Sequence, residues 1–210
     1  MTISGNLING VNSSVFTGSE PDASGGIFVS GTISGGIISA NKIYDIRNTV
    51  TSGGPSYGIS LQSISNASGL RVVNNFIYEV IGYGNNSNEL NNGHGIAVLT
   101  GGGYGVFHNA INLATNQTTA GISSAMYVGS SVGGTLNVRN NIFSNRQTTG
   151  IRYGLYCQLT NAVFSSINYN NYFANGFVGF LGTQRVNIGN WQSATGQDGN
   201  SVASNPIFVS

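Results

Sequence analysis

Charged side chains are scarce in this sequence of 210 residues: seven are Lys or Arg, six are Asp or Glu, and together they make 6 % of the chain. Soluble domains commonly carry about 25 %. With a formal net charge of +1 and no basic run, we expect no electrostatic binding to nucleic acid. The near-zero charge gives little repulsion between copies, which favours association with polymers, surfaces or other copies.

Cysteine and long apolar runs are also lacking. The single cysteine, Cys157, cannot form an internal disulfide, and its apolar strand context predicts a buried, unreactive thiol. No apolar run reaches the roughly 18 residues of a membrane-spanning helix, so we expect no membrane insertion. Residues 1–5 lack the basic and apolar regions of a secretory signal and already lie within a repeat, so we expect the chain to be a piece of a longer protein.

One motif recurs along the chain: an apolar residue, two spacers, an Asn, one spacer, and an Ile or Phe. Between these motifs, pairs such as Ile59 and Leu61 alternate with a period of two, which predicts strands. The Asn residues are Asn6, Asn41, Asn75, Asn109, Asn141 and Asn171, and the apolar residues that follow them are Ile8, Ile43, Ile77, Ile111, Phe143 and Phe173.

The period of about 30–35 residues predicts an all-β fold, a single-stranded right-handed parallel β-helix of about six coils. Equivalent residues of successive coils stack about 4.8 Å apart. The Ile and Phe column is therefore predicted as core, and the Asn column as a ladder of turn residues with mutually bonded amides. We assign 1–176 to the coils and 177–210 to a last partial coil and a connecting segment leading to further coils. No helix that could cap either end is evident, so we expect exposed strand edges at both ends.

These Asn-x-Ile/Phe motifs resemble those of the pectate-lyase-like right-handed parallel β-helix superfamily over nearly the whole chain. The stretch from Trp191 to Phe208, with Thr195-Gly196-Gln197-Asp198 and Asn205-Pro206, is similar to segments of large secreted or surface-anchored bacterial β-helix proteins, where it joins one block of coils to the next. The resemblance implies an extracellular location and a chain that continues past residue 210. It transfers no catalytic residue.

Two carboxylates are the candidates for catalysis. Asp45 and Glu79 each lie four residues after a motif Asn, so we expect them to be neighbours on consecutive coils, near the separation of about 5–5.5 Å found in retaining glycosidases. The alternative is a pair of surface charges balanced by Lys42, Arg47 and Arg71.

No cofactor is predicted, with one exception to consider. Glu20 and Asp22 flank Pro21 in a Ser- and Gly-rich turn, which allows a weak Ca²⁺ loop, although an ordinary loop is the simpler interpretation. The two histidines, His94 and His108, have no Cys or carboxylate at ligand spacing, so we expect no metal site.

Aromatic columns are the better indication of binding. Tyr44 and Tyr78 are equivalent positions on successive coils, and so are Tyr57 and His94. Outward-facing aromatic stripes bind sugar rings by stacking, which makes these four residues candidates for contact with surface glycans. Aromatic side chains also suit exposed strands for their own sake.

Two functions from different classes follow. The first is an extracellular structural β-solenoid segment of a bacterial surface adhesin or filament, without catalysis, whose partners are other copies or flanking coils and which self-associates end to end. The second is a carbohydrate-binding or polysaccharide-degrading β-helix protein.

Overall fold

The structure is a computed structural model that describes residues 1–14, 23–51 and 53–208. The chain is all-β, and its mostly parallel sheets stack into a β-solenoid of about five turns, which confirms the predicted fold class. The helices in the described part of the chain are α1 (Ile188–Thr195) and a short 3₁₀ turn (Asn161–Val163). No helix in these ranges is long and apolar enough to span a membrane.

The strands are short, as the spacing of turn residues predicts. In chain order they are β1 (Thr2–Ser4), β2 (Leu7–Ile8), β3 (Val11–Ser13), β4 (Ser24–Gly31), β5 (Gly36–Ser39), β6 (Lys42–Ile43), β7 (Ile46–Asn48), β8 (Ser56–Ser63), β9 (Leu70–Val73), β10 (Phe76–Tyr78), β11 (Val80–Ile81), β12 (Gly93–Gly101), β13 (Tyr104–Phe107), β14 (Ala110–Leu113), β15 (Ile122–Val132), β16 (Leu136–Arg139), β17 (Ile142–Asn145), β18 (Ile151–Cys157), β19 (Phe164–Asn168), β20 (Asn171–Ala174), β21 (Phe177–Leu181) and β22 (Thr183–Arg185).

Three long sheets run the length of the solenoid. Sheet A contains β1, β5, β9, β13, β16 and β19, and sheet B contains β2, β6, β10, β14, β17 and β20. Sheet D contains β4, β8, β12, β15, β18, β21 and β22, and the short sheet C contains β3, β7 and β11. Neighbouring strands are parallel, except that β22 pairs antiparallel with β21. Each turn thus adds one strand to each long sheet.

The core is built from columns of apolar side chains in register. Ile43 pairs with Ile77, and Ile77 with Ile111, across sheet B, and all three are fully buried. Phe143 continues this column, while Ile8 in the first turn is only partly buried. Each fully buried side chain contributes roughly 1.5–3 kcal/mol before the cost of ordering the chain, so the stack as a whole supplies what no single turn could.

The asparagines between sheets A and B form a continuous hydrogen-bonded ladder. The backbone N–H and the side-chain Nδ2 of Asn41 both donate to Asn75 Oδ1, at 3.0 and 2.9 Å. The same pair of bonds joins Asn6 to Asn41, Asn75 to Asn109, and Asn109 to Asn141. The preceding residues turn the chain in the left-handed region, with φ of 54 to 58°: Ala40, Asn74, His108 and Asn140.

The last turn corrects two of the predicted columns. The N–H and Nδ2 of Asn141 donate to Asn170 Oδ1, each at 3.0 Å, so the ladder continues through Asn170 and not through Asn171. The core position opposite Phe143 is consequently Tyr172, which is fully buried, and Phe173 was wrongly assigned to the core. Asn170 and Asn171 are adjacent, and only Phe173 matches the Ile or Phe that ends the motif, so the motif indicated Asn171, whereas the hydrogen bonds from Asn141 place Asn170 in the ladder.

The C-terminal end of the solenoid is covered by α1, which corrects the expectation that neither end carries a capping helix. The helix begins after Asn187, whose side chain accepts a hydrogen bond from the Asn190 N–H at 2.9 Å, and ends at Gly196 with φ of 65°. Trp191 is fully buried. Its ring lies over Gly179, where a Cβ would come within 2.4 Å of the indole. Only a glycine therefore lets the indole close this end of the core.

Each long sheet is also closed at this end by other groups. On sheet A, the Ile167 N–H donates to Gln197 Oε1 at 3.1 Å, and the Asp198 N–H donates to Ile167 O at 3.0 Å. On sheet B, the Tyr172 N–H donates to Val202 O at 2.9 Å. On sheet D, β22 pairs with the outer edge of β21. The last strand of each long sheet is therefore hydrogen-bonded on its outer side.

Among the described residues, no element covers the N-terminal end of the solenoid. Strands β1, β2 and β4 are the outermost strands of their sheets, and Leu7 and Phe28 remain 62 % and 46 % exposed. Around them lies a hollow of about 440 Å³ whose floor includes Ile3 and Ile27. Within the described residues, Asn6 Oδ1 accepts no hydrogen bond, whereas every later ladder oxygen accepts two.

Candidate functional site

The predicted tyrosine pair is present on the outer face of sheet B. The rings of Tyr44 and Tyr78 are parallel within 2°, with centroids 4.8 Å apart. Lys42 Nζ lies 5.4 Å from the first ring centroid and 5.6 Å from the second. Both tyrosines are half-buried, so the pair forms an apolar stripe on which a sugar could pack.

The predicted carboxylates occupy one turn position on consecutive turns. Asp45 and Glu79 both adopt the left-handed region, with φ of 55 and 51°. Asp45 Oδ1 lies 2.5 Å from Nε of Arg47, and Lys42 sits beside the tyrosines instead. Arg71 lies on sheet A and not beside this pair, so that part of the charge-balancing prediction was wrong. Because Asp45 is already paired with Arg47, the geometry favours a surface ion pair over catalysis.

The second predicted aromatic pair stacks but is not an outward surface. Tyr57 and His94 have centroids 6.2 Å apart, yet their exposed fractions are 2 and 0 %. The prediction that they contact glycans at the surface is therefore contradicted. They are covered by the loop at 82–92, between β11 and β12, a cover that strand periodicity alone could not indicate.

His94 holds this loop in place. Its Nε2 lies 2.9 Å from Glu89 O, and its Nδ1 lies 2.8 Å from Ser124 Oγ. Since a carbonyl oxygen can only accept, Nε2 carries the proton and Nδ1 accepts from the serine. Burial lowers the pKa of His94 to about 4, so the imidazole is neutral at neutral pH and serves as a hydrogen-bonding strut.

Asn92 organises the rest of the loop. Its Nδ2 donates to the carbonyl oxygens of Asn85 and Asn88 at 2.9 and 2.8 Å. Its Oδ1 accepts from the Asn85 N–H at 2.9 Å and from the Ile122 N–H at 3.0 Å. One fully buried amide thus joins the loop to itself and to β15.

A cleft of about 360 Å³ lies between this loop and the outer face of sheet D. Glu89 and Leu90 line one side, Tyr127 another, and Gln158 is held by accepting from the Ser130 N–H at 2.9 Å. Burial first, and then the charge of Glu89, raise the pKa of Tyr127 to about 12. The cleft therefore offers the carboxylate of Glu89 beside the phenol of Tyr127 and the apolar side chains of Leu90 and Leu99, which suits a small hydroxylated ligand.

Aromatic rings continue the cleft along sheet D. Tyr127 and Tyr156 stack at 5.6 Å, and Tyr156 and Phe180 at 4.6 Å. The sequence contained an indication of this site that was missed. Among the equivalent positions of successive turns (Gly26, Gly58, Gly95, Ala125 and Gly154), the interval from Gly58 to Gly95 is the longest, and its extra residues are the Asn-rich loop.

Two further predictions concern Cys157 and the candidate Ca²⁺ loop. Cys157 is buried in the column of Val128, and burial raises the pKa of its thiol to about 11. Glu20 and Asp22, the candidate Ca²⁺ loop, lie outside the described residues. Within the described ranges, no group of three or more His, Cys, Asp or Glu side chains could hold a metal ion.

Comparison with known proteins gives no family for this chain: no family model, no curated protein and no solved structure matches it.

Proposed function

We propose that this chain is a structural segment of an extracellular bacterial surface protein, an adhesin or a filament, built as a right-handed β-helix of the pectate-lyase-like type. The observation that carries the proposal is the Asn ladder, which runs from Asn6 to Asn170 with paired hydrogen bonds at every step. A ladder and core that repeat without interruption make a stiff rod, and a rod is what a spacer or fibre needs.

The proposed partners are further β-solenoid turns, from the same protein or from a second copy, stacked on the open N-terminal end. Support comes from the exposed Leu7 and Phe28 and from Asn6 Oδ1, which accepts no hydrogen bond from a described residue. No charged side chain lies in β1, β2 or β4, so these edges lack the lysines that commonly prevent pairing. Simple head-to-tail stacking is disfavoured, because α1 and β22 occupy the other end.

Sedimentation velocity across a range of concentrations tests self-association. We expect the chain to form dimers through its N-terminal end, and Leu7→Lys to shift it to monomer by placing a charge in the contact. The matched control is Val186→Lys, which makes the same kind of change at a residue 63 % exposed near the C-terminal end and should leave association unchanged. Monomer at every concentration, or equal effects of both variants, would contradict association through the N-terminal end.

The extracellular location has a separate test. An antibody against the chain should label intact cells of the organism that produces it. Labelling that appears only after the cells are permeabilised would contradict this part of the proposal.

A second candidate function is carbohydrate binding, favoured by the cleft beside Glu89 and Tyr127. Titration calorimetry with neutral oligosaccharides should then detect binding that Glu89→Gln weakens by about tenfold, the effect of losing a hydrogen bond to a charged group. Glu79→Gln is the control, because it removes a carboxylate elsewhere on the solenoid.

The polysaccharide-degrading form of this alternative rests on Asp45 and Glu79. It predicts that Asp45→Ala and Glu79→Ala abolish any activity of the chain on acidic or neutral polysaccharides. Activity that survives both substitutions would rule these residues out.

A further inference from the structure

A cavity of about 450 Å³ lies where three parts of the C-terminal region meet: the connection after β18, the turn between β21 and β22, and α1. Leu159 comes from the first of these parts, Leu181 from the end of β21, and Ala194 from α1. These three side chains give the cavity a largely apolar wall, to which Thr160 and Asn161 add polar atoms. Cavities of this size commonly hold small molecules.

Arg185, at the end of β22, is the charged residue of this cavity. Its Nη2 donates to Leu181 O at 2.6 Å, which holds the guanidinium against the turn between the two strands. Its Nε is buried and has no hydrogen-bond partner among the described residues. Buried donors are paired in most proteins, so this nitrogen indicates an acceptor that a ligand would supply.

The described residues bring no carboxylate to this guanidinium. The ion pair that they form joins Arg47 to Asp45 on another turn. Asp198, which lies at the same end of the solenoid as Arg185, accepts from Trp191 Nε1 and is buried against the core instead. The positive charge of Arg185 is therefore available to an anion from outside the described chain.

Two other arginines show why the cavity matters. The Nε of each is also buried without a partner. Both terminal nitrogens of Arg152, however, donate to backbone carbonyl groups, and the guanidinium of Arg139 lies over the ring of Phe107. Arg185 differs from them because it borders a cavity with an apolar wall.

We propose that this cavity binds a small molecule that carries a carboxylate on an apolar body. The carboxylate accepts the hydrogen bond of Arg185 Nε, and the apolar body packs on the wall of leucine and alanine side chains. A hydrogen bond between two charged groups is stronger than one between neutral groups, and removing the apolar body from water adds to the binding free energy. The proposal does not depend on the structural function proposed above.

The lining of the cavity argues against other ligand classes. None of the described residues that line it is aromatic, so it offers no ring on which a sugar could stack. A nucleic acid is held by many phosphate contacts, whereas one guanidinium is present here. The cavity shares Gln158 and no other residue with the cleft beside Glu89 and Tyr127, so the two are separate candidate sites.

Titration calorimetry of the chain with two carboxylates, octanoate and phenylpropionate, tests the proposal. The amide of each keeps the apolar body without the charge, and acetate keeps the charge without the body. We expect at least one of the two carboxylates to bind about tenfold or more tightly than its own amide and than acetate, because only the carboxylate with its apolar body engages both the guanidinium and the wall. Failure of both carboxylates to bind, or equal binding of the amides or of acetate, would overturn the proposal.

Matched variants assign the site. Arg185→Gln should weaken binding by about tenfold, because it removes the charge while leaving a side chain that can still donate to Leu181 O. Arg146→Gln removes an equal charge at an exposed turn residue and should bind as the parent does. Ala194→Leu fills part of the cavity and should also weaken binding, whereas Ala203→Leu makes the same change at an exposed position and should not. Circular dichroism confirms that each variant is folded. If Arg146→Gln weakens binding as much as Arg185→Gln does, the attraction is not specific to this cavity and the site is excluded.

Discussion

The two ends of the solenoid differ in how the outer edges of their last strands and the end of the core are covered. At the C-terminal end, the last strands of sheets A, B and D are each hydrogen-bonded on their outer side, and Trp191 closes the core. At the N-terminal end, the first strands have no such cover from the part of the chain that the structure describes, and Leu7 and Phe28 are exposed. Inside a parallel stack, each turn supplies the backbone hydrogen bonds and the apolar contacts that its neighbours need. At an end, these must come from a different kind of residue or from another turn.

Asp198 connects the groups that close the C-terminal end. It is 1 % exposed, and its Oδ2 accepts from the Tyr172 hydroxyl at 2.5 Å and from Trp191 Nε1 at 2.6 Å. Its Oδ1 accepts from the Ser201 hydroxyl. A buried carboxylate is tolerated when donors surround it. This one links the core, α1 and the final segment, which gives the Thr-Gly-Gln-Asp stretch a structural role.

The largest expected difference between the ends is in stability. Trp191→Ala should lower the free energy of unfolding by about 3–5 kcal/mol, because it leaves a cavity where a large buried ring was. Phe28→Ala removes a ring that is 46 % exposed at the open end and should cost less than about 1 kcal/mol. Urea unfolding measures both. Far-UV circular dichroism is the probe, since Trp191 is the only tryptophan. Equal losses in the two variants would show that the ends contribute alike.

Between the two ends, we expect the loop at 82–92, which His94 holds in place, to be sensitive to acid. The pKa of His94 is lowered to about 4 in the folded chain, against about 6.5 when unfolded. Between these values the unfolded state binds more protons, so the free energy of unfolding falls as the pH falls from 6.5 towards 4, by up to about 3 kcal/mol. Urea unfolding at several pH values measures the slope.

His94→Gln is the control for this pH dependence, because it removes the titrating group while keeping a side chain that can donate and accept. Its stability should vary less with pH over the same interval, even if it is lower throughout. Hydrogen exchange near pH 4.5 adds a local test: amides of the loop at 82–92 should exchange faster than those of the capped end. An unchanged pH slope in His94→Gln would place the acid sensitivity elsewhere.

Repetition explains which features the sequence could predict. The columns of Ile43, Ile77 and Ile111 follow from period alone, because every turn restates the same constraint. The burial of His94 could not be predicted in this way, since it depends on a loop that occurs in one turn only. The role of α1 was missed for a related reason: a helix of eight residues with one Trp has no repeat to reveal that its ring fills the core.

The candidate sites show the same division. The stacking of Tyr44 on Tyr78 followed from spacing, as equivalent residues of adjacent turns must be neighbours. The cleft beside Glu89 and Tyr127 was not predicted, because the loop that forms one side of it occurs in one turn only. Residues that depart from the repeat in a single turn meet their neighbours only in the folded stack, so the spacing of the sequence does not predict which of them form a site.

The smallest expected effect separates two adjacent residues at the closed end. Asn170 Oδ1 accepts two bonds from Asn141, and its Nδ2 donates to Val138 O at 3.1 Å. Asn170→Ala removes the acceptor of the buried Asn141 N–H and the donor to Val138 O, and should cost about 2 kcal/mol. Asn171 is half-buried, and its Oδ1 accepts from the Ser204 N–H at 3.0 Å at the surface, so Asn171→Ala should cost less than about 0.5 kcal/mol. Urea midpoints of the two variants decide the register: a larger loss at 171 than at 170 would move the ladder by one residue and turn Tyr172 out of the core.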